Sequence, residues 1–392
     1  MIIRFTVSIL LIAVITIISA ESQELPVNWQ ELPEPYHTQS AVNPPQVISK
    51  PELASLRLPP GFKVEEYLTG FKRPRYLLLG SDNEILLSDM DAGIVYAIKN
   101  KKIKKLIENL NQPYGLALYK EWLYVAEANS VKRYAYDHES LTISMGKEII
   151  SLQNHASGHT TRTLLFDDVE NKLYLSVGSA SNVRLGEHPI RAAISRYNPD
   201  GSGHEIFASG IRNGVGLRWY PDTHDLWVTS HERDGLGDDL PPDYFTKVQS
   251  GGFYGWPYAY IGPHEDPRHK GVAPDKVKQT LYPSVLLGGH VGPLDFIFYT
   301  AEQFPVRYHG GAFIAFHGSW NRSKLNGYKV AFIPFKDGKP LSGPEDFLTG
   351  WMLDQNRREV WGRPAGLLQM PDGSLLISDD GAGKIWRVSY NE

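Results

Sequence analysis

None of the 392 residues is cysteine. Disulfide staples, thiolate metal sites, cysteine nucleophiles and cysteine-linked lipids are therefore excluded. There is no run of Lys or Arg long enough to track phosphates, and the formal charge is −4 with a pI near 6.4, which disfavours nucleic acid as a partner. After residue 20 no apolar stretch is long enough to span a membrane. The Gly-x-Ser-x-Gly elbow, the Gly-x-Gly-x-x-Gly turn and the Walker loop are missing, so α/β-hydrolase, nicotinamide and ATP chemistries drop out. No helical period of about 3.6 residues is sustained, beyond a turn or two expected at 51–56. What is present is apolar and aromatic. The chain is 42% hydrophobic, with 15 Phe, 9 Trp and 21 Tyr, which rules out wholesale disorder and supplies the core of a large β-protein.

Residues 1–20 combine an early Arg4, the apolar stretch Phe5–Ile18 and the small pair Ser19-Ala20. That is the grammar of a secretory signal peptide, with a retained anchor as the competing reading. The stretch is shorter than the roughly 20 residues a bilayer span needs, which favours cleavage. The expectation is an exported protein, periplasmic or secreted. Residues 21–57 are rich in Pro, Gln and Ser without a clear period, and read as an extended leader strapped over a domain.

From residue 58 one pattern recurs. A turn leads into a short apolar strand, a second apolar strand ends in a small or acidic residue, and a third closes on Lys or Arg. The openings are Arg73-Pro74-Arg75-Tyr76, Gln112-Pro113-Tyr114-Gly115, Thr161-Arg162-Thr163, Arg212-Asn213-Gly214, Gly292-Pro293-Leu294 and Arg363-Pro364-Ala365. Strand-sized units repeating at roughly 40–80 residues predict an all-β, six-bladed β-propeller over 58–392. The strand Phe62–Leu68 is free to pair with the last blade and close the ring, removing its edges. Between blades four and five lies the long loop 251–289, rich in Gly, Pro, Trp and Tyr, of the kind that carries function or protects an interface.

In a propeller the first strand of each blade lies nearest the central channel, so the residues opening it face the channel mouth. Arg73, Arg75, Gln112, Arg162, Arg212 and Arg363 would then converge, and clustered guanidiniums call for a multiply charged anion. The alternative is that each Arg pairs with a local acid such as Asp89, Glu127 or Asp379. The loop His231–Asp239 gathers Glu232, Asp234, Asp238 and Asp239 around two glycines, a donor set suited to a hard cation such as Ca²⁺, though without EF-hand spacing. His159 opens blade three, four residues after His155, and a neutral histidine at a channel mouth is a candidate general base. His290 and Trp320 are candidate substrate contacts, the indole as a stacking face.

The stretches GHTTRTLLFDDVENKLYLSVGS, IRNGVGLRW, GGFYGWP, FHGSWNR and WGRPAGLLQMPDGSLLISDD together resemble the glucose/sorbosone dehydrogenase family of pyrroloquinoline quinone (PQQ) enzymes, closest to its sorbosone-type branch. The likeness spans roughly 58–390. It implies a six-bladed propeller with PQQ at the channel mouth beside Ca²⁺, and hydride transfer from a sugar or polyol with a separate electron acceptor. On this resemblance His159 is the base, with His155 the other possibility. Gln112, Arg212, Asn213, Arg322 and Arg363 contact PQQ. Calcium falls at Glu232, Arg233 and Asp234, with the carbonyls of Arg233 and Asp234 as ligands. Two departures stand out: Ser179 in place of an aspartate partnering the base, and Trp361 in place of a second arginine. A Ca²⁺-dependent lactonase and a non-catalytic binding propeller are the alternatives.

Overall fold

In a computed structural model describing residues 24–391, six antiparallel sheets form the ring. The predicted signal peptide lies outside the described residues. Blade one runs Pro74–Leu79, Ile85–Asp89, Ile94–Lys99, Lys102–Ile107 from axis to rim. Blade two begins with Leu116–Tyr119, Trp122–Glu127 and Ser130–Asp137; on the last of these Thr142–Ile143 and Lys147–Ser151 both pair. Blade three is Arg162–Asp167, Lys172–Val177, Ala193–Tyr197, Glu205–Ser209, and blade four Asn213–Trp219, Leu226–His231, Pro242–Lys247, Val285–Gly289. Blade five is Pro293–Phe298, Ala312–Phe316, Lys329–Ile333, Glu345–Leu348. Blade six is Pro364–Gln369, Leu375–Asp379, Lys384–Tyr390, and its outer strand is the early Phe62–Thr69, antiparallel to Lys384–Tyr390. The ring is thus closed by the strand that the sequence left unpaired.

Burial follows position within each blade. The second strands Ile85–Asp89, Ala312–Phe316 and Leu375–Asp379 are buried throughout, since neighbouring blades cover both faces. Continuous apolar runs, rather than alternation, are the expected signature of such strands. Outer strands such as Lys102–Ile107 are mostly exposed and carry lysines, which discourage edge-to-edge pairing.

The recurring small residues have a packing cause. A Cβ on Gly115 would lie 2.3 Å from the Arg162 carbonyl of the next blade, and one on Gly366 would lie 2.1 Å from the Arg75 carbonyl. Only glycine lets the inner strands approach so closely around the axis. Ser88, Ser176 and Ser378 donate to inner-strand carbonyls of the following blade, at 2.8 Å to Tyr114, 2.7 Å to Gly214 and 2.6 Å to Arg75. Each such bond is worth about 1 kcal/mol and fixes blade-to-blade register. Deeper along the inner strands Tyr76, Tyr114, Val215, Leu294 and Ala365 pack together on the axis, beside the Arg218–Asp295 ion pair at 3.1 Å.

Two segments lie on the ring. Over 51–56 the leader makes a single hydrogen-bonded turn, the Ala54 N–H donating to the Pro51 carbonyl at 3.0 Å, and no helix. The one α-helix among the described residues is Pro274–Gln279, inside the insertion. That insertion lies within blade four, between Pro242–Lys247 and Val285–Gly289, and not between blades four and five.

Candidate functional site

The starts of the inner strands and the ends of the second strands open on one face, around a cavity of about 390 Å³. Arg73, Arg75, Gln112, His159, Arg212, Asn213, Glu232, Asp234, His290, Trp320 and Arg363 all line it, as do His231, Asp243, His317 and Asn321. So the structure brings together most of the sequence-derived candidates. Three fall outside. Arg322 turns to the rim, where it donates to the Asp238 carbonyl at 2.9 Å and pairs with Asp239. Arg233 is wholly buried behind the cavity, against Glu232 and Asp266 and the carbonyls of Pro257 and Ala259. Arg162, counted in the expected convergence, instead spends its guanidinium on the carbonyls of His155, His159 and Thr161, each at 2.7 Å. His155 also stays out, its ring centroid 4.6 Å from that of His188.

The cavity arginines are only partly neutralised, and not by the acids first suspected. Asp89 and Asp379 accept backbone N–H groups, of Lys72 and Arg73 and of Arg363 and Ala382 respectively, and so shape the loops that carry the arginines. Asp380 takes the charge. It lies 2.7 Å from Arg75, 3.3 Å from Arg73 and 2.8 Å from His317 Nε2. Burial pushes its carboxyl up, but Arg75 and His317 outweigh this and hold it well below the usual range. Arg212 donates to the Glu232 carbonyl at 2.8 Å and meets Asp234 at 3.2 Å, whereas Arg363 donates to the carbonyls of His317 and Gly318. Burial lowers the pKa of Arg75, Arg212 and Arg363 alike, so these cations are under-solvated and an anion beside them is favoured.

His159 Nδ1 lies 2.8 Å from the carbonyl of Ser179, a group that can only accept. The proton therefore sits on Nδ1 and Nε2 keeps its lone pair. Burial, then the Arg212 charge, lowers the imidazole to a pKa of about 3, so it is neutral at working pH. The sequence departure at Ser179 thus leaves the ring oriented by a backbone carbonyl in place of a carboxylate. The Ser179 N–H in turn donates to the Arg212 carbonyl at 2.8 Å, tying the histidine and the arginine through the backbone of one residue. Gly178 is required here: a Cβ would fall 2.3 Å from Asn213 Oδ1 and 2.8 Å from His159 Cβ.

Other groups escaped the sequence reading. His317, backed by Asp380, has a pKa lowered to about 3 by burial and Arg363; His231, bonded to the Pro293 carbonyl at 2.9 Å, is lowered to about 4 by burial. Asp243 accepts from the N–H groups of Glu232 and Gly292, each at 2.8 Å, and burial pushes its carboxyl up to about 7. Asn182 orders Arg212 and Asp234, its Oδ1 accepting from Arg212 at 3.1 Å and from the Asp234 N–H at 2.8 Å. A tandem Asp379-Asp380 was visible as a signal; nothing in the local sequence marks Asn182.

Trp361 is a core residue. Its Nε1 donates to the Gly350 carbonyl at 2.7 Å, and its ring packs near Trp351 and Trp386. The metal loop is less open than its composition suggested. The Asp234 carboxylate is engaged by Arg212 and Asn321, and its carbonyl accepts from Arg268 at 2.8 Å and Asn182 at 2.9 Å. Among the described residues no three His, Asp or Glu side chains gather to hold a metal.

Solved PQQ-dependent sugar dehydrogenases share the propeller fold: the holo form of the pyranose dehydrogenase PQQ domain from Coprinopsis cinerea superposes with a TM-score of 0.72 at 20% identity, covering 89% of this chain and 100% of that one. The chain belongs to the TrAA12-like family, which matches residues 56–241 and 273–391. An uncharacterised protein of Borreliella burgdorferi is 30% identical over 361 residues, covering 88% of this chain and 94% of that protein. A pyrroloquinoline quinone-dependent pyranose dehydrogenase of Coprinopsis cinerea is 27% identical over 186 residues, 43% of this chain but 22% of that enzyme. A calcium structure of the Trichoderma reesei family AA12 enzyme superposes with a TM-score of 0.75 at 23% identity, covering 89% of this chain and 99% of that one. At that identity the superposition speaks for the fold.

Proposed function

We propose that this protein is a PQQ-dependent oxidoreductase that oxidises a pyranose or related aldose. The carrying observation is a set of buried polar atoms without partners on residues lining the cavity: Asn213 Oδ1, Asn321 Oδ1, Glu232 Oε1 and Arg75 Nε. Orphaned groups of this kind are rare inside a folded protein, and they cluster where a polar ligand is wanted. PQQ is a planar trianion with carbonyl oxygens, and the lining offers Arg73, Arg75, Arg212 and Arg363 as cations with Gln112, Asn213 and Asn321 as amides. The residues present fit that group.

When bound, PQQ supplies the two-electron acceptor for the hydride of the substrate carbon. The rest falls to the chain. His159 Nε2 accepts the proton of the substrate hydroxyl as the carbonyl product forms, and Ser179 holds the ring in the tautomer that can do so. Arg212, rigidly held by Asn182 and the Glu232 carbonyl, presents positive charge where negative charge grows. Trp320, 47% exposed at the mouth, offers its face to a sugar ring.

Calcium is the finer part of the proposal. Its side-chain support is the unpartnered Oε1 of Glu232, with the Arg233 carbonyl as a further oxygen, so the ion must draw other oxygens from the anion it accompanies. No step above depends on it. Export, a separate electron acceptor and the choice among glucose, sorbosone and polyols belong to the same proposal. The test is titration of the protein without its first 20 residues with PQQ, with and without Ca²⁺, followed by dye reduction against a sugar panel. PQQ-dependent reduction supports the reading, and no PQQ binding refutes it. Turnover of sugar lactones with Ca²⁺ alone would favour the lactonase.

A further inference from the structure

The family match leaves out residues 24–55 and 242–272, and these two segments touch each other. Trp29 of the leader stacks on His264 of the insertion at 5.9 Å, and Trp29 and Leu32 pack against a cluster containing Leu236, Tyr260 and Leu286. The Asn28 side chain bonds both backbone groups of Leu286, at 2.8 and 3.0 Å, anchoring one end of the leader on blade four. The other end is anchored by Gln46–Val47, paired in parallel with Glu359–Val360.

Between these anchors the leader crosses the loops that wall the cavity. The Tyr36 N–H donates to the Leu236 carbonyl at 2.7 Å, from a turn in which Tyr36 is held at a left-handed φ of 66°. Thr38 Oγ1 accepts the Asp238 N–H at 2.7 Å, and Asp238 in turn accepts the Ser323 N–H at 2.9 Å. The Asn43 N–H donates to the carbonyl of Trp320 itself, at 2.7 Å, and its side chain reaches the Ser323 carbonyl at 3.2 Å. Every polar contact the loop 320–323 makes with the leader thus bears on the backbone beneath the exposed indole. An exposed aromatic can serve as a stacking face only if its backbone is held.

We propose that the leader is a positioning element of the site: through Thr38 and Asn43 it fixes the loop carrying Trp320 over the cavity mouth and so sets affinity for the sugar, while Asn321 of the same loop, which faces the cofactor, is held separately by Asp234 and His290. The link to sugar rests on the function proposed above; the hold on the loop does not.

The experiment compares the wild type with Thr38→Val, which keeps the side chain's shape but removes the acceptor, and with Thr38→Ser, which restores it. Asn43→Pro is a second variant that deletes the N–H facing Trp320. Amide hydrogen exchange over 234–239 and 318–326 is read alongside steady-state kinetics and PQQ affinity. Thr38→Val and Asn43→Pro are expected to raise exchange at 318–326 about tenfold. KM for the best sugar should rise about fivefold while kcat and PQQ affinity stay within about twofold. Thr38→Ser should behave as wild type. Unchanged exchange in both disruptive variants would overturn the proposal whatever the cofactor does. Raised exchange with KM unchanged, or with PQQ affinity lost in step, would overturn its link to substrate. A wild type that binds no PQQ would refute the functional reading, and exchange would still decide whether the leader holds the loop.

Discussion

Blade one and the leader meet the same requirement, satisfying backbone groups near the cavity, by opposite means. In blade one the bonds are local or pass to an adjoining blade: Asp89 caps Lys72 and Arg73, and Ser88 reaches the Tyr114 carbonyl. The leader makes its bonds to residues some two to three hundred positions away, at Leu286, Asp238, Trp320 and Val360. A ring built from local pairings can repeat and can be recognised as a repeat. A strap held by isolated long-range bonds has no period, and it is free to differ between relatives that share the ring.

If this division holds, the ring carries the cofactor and the chemistry while the overlying segments tune access. The largest expected effect therefore lies in the ring. Arg212→Ala removes a buried cation and several charge-assisted bonds, and PQQ affinity should fall by about 100-fold or more in a binding titration. An effect below tenfold would move the anion site elsewhere. His159→Gln should leave PQQ affinity near wild type while kcat falls by about 10²–10⁴-fold. Turnover near the wild-type value would assign the proton to another group, and His317, backed by Asp380, would be next to test.

The third prediction concerns pH. His159, His231 and His317 have folded pKa values of about 3, 4 and 3, below the ordinary 6.5, so on acidification the unfolded chain takes up protons first. Stability should be lost as pH falls from about 6.5 towards 4, on the order of several kcal/mol, visible as a falling urea midpoint. Asp243 works the other way: its raised value of about 7 favours the folded state at low pH, and this is lost progressively as pH rises from about 4 to 7. A midpoint unchanged between pH 6.5 and 4 would contradict neutral, buried histidines. The smallest expected effect is that of Thr38→Val, a change in KM alone.

Fold and site were unequally legible in the sequence. The six openings, the apolar second strands ending in a small or acidic residue and the stray strand Phe62–Thr69 specify a closed ring because each is a local consequence of packing between blades. Residues at strand openings were also readable, since their position in the repeat places them on the axis; Arg75, Arg212, Asn213 and Arg363 reach the cavity accordingly. Arg162 has the same position and does not, because three nearby carbonyls claim it first. Arg322 turns away for a related reason, its loop following acids and carbonyls remote in sequence, and the Arg233 side chain is likewise claimed by Asp266, a matter separate from its carbonyl. Asn182 and Asp243 were invisible because their importance lies in which backbone groups they meet, and nothing in their neighbours along the chain records that.

The most direct test of the central claim is the change in PQQ affinity between the wild type and Arg212→Ala, measured with and without Ca²⁺. A stoichiometric site that is lost on removing this one guanidinium would place the anion in the cationic cavity at the head of the ring. Wild-type protein that takes up no PQQ under either condition, or binds it equally well without Arg212, would contradict the account.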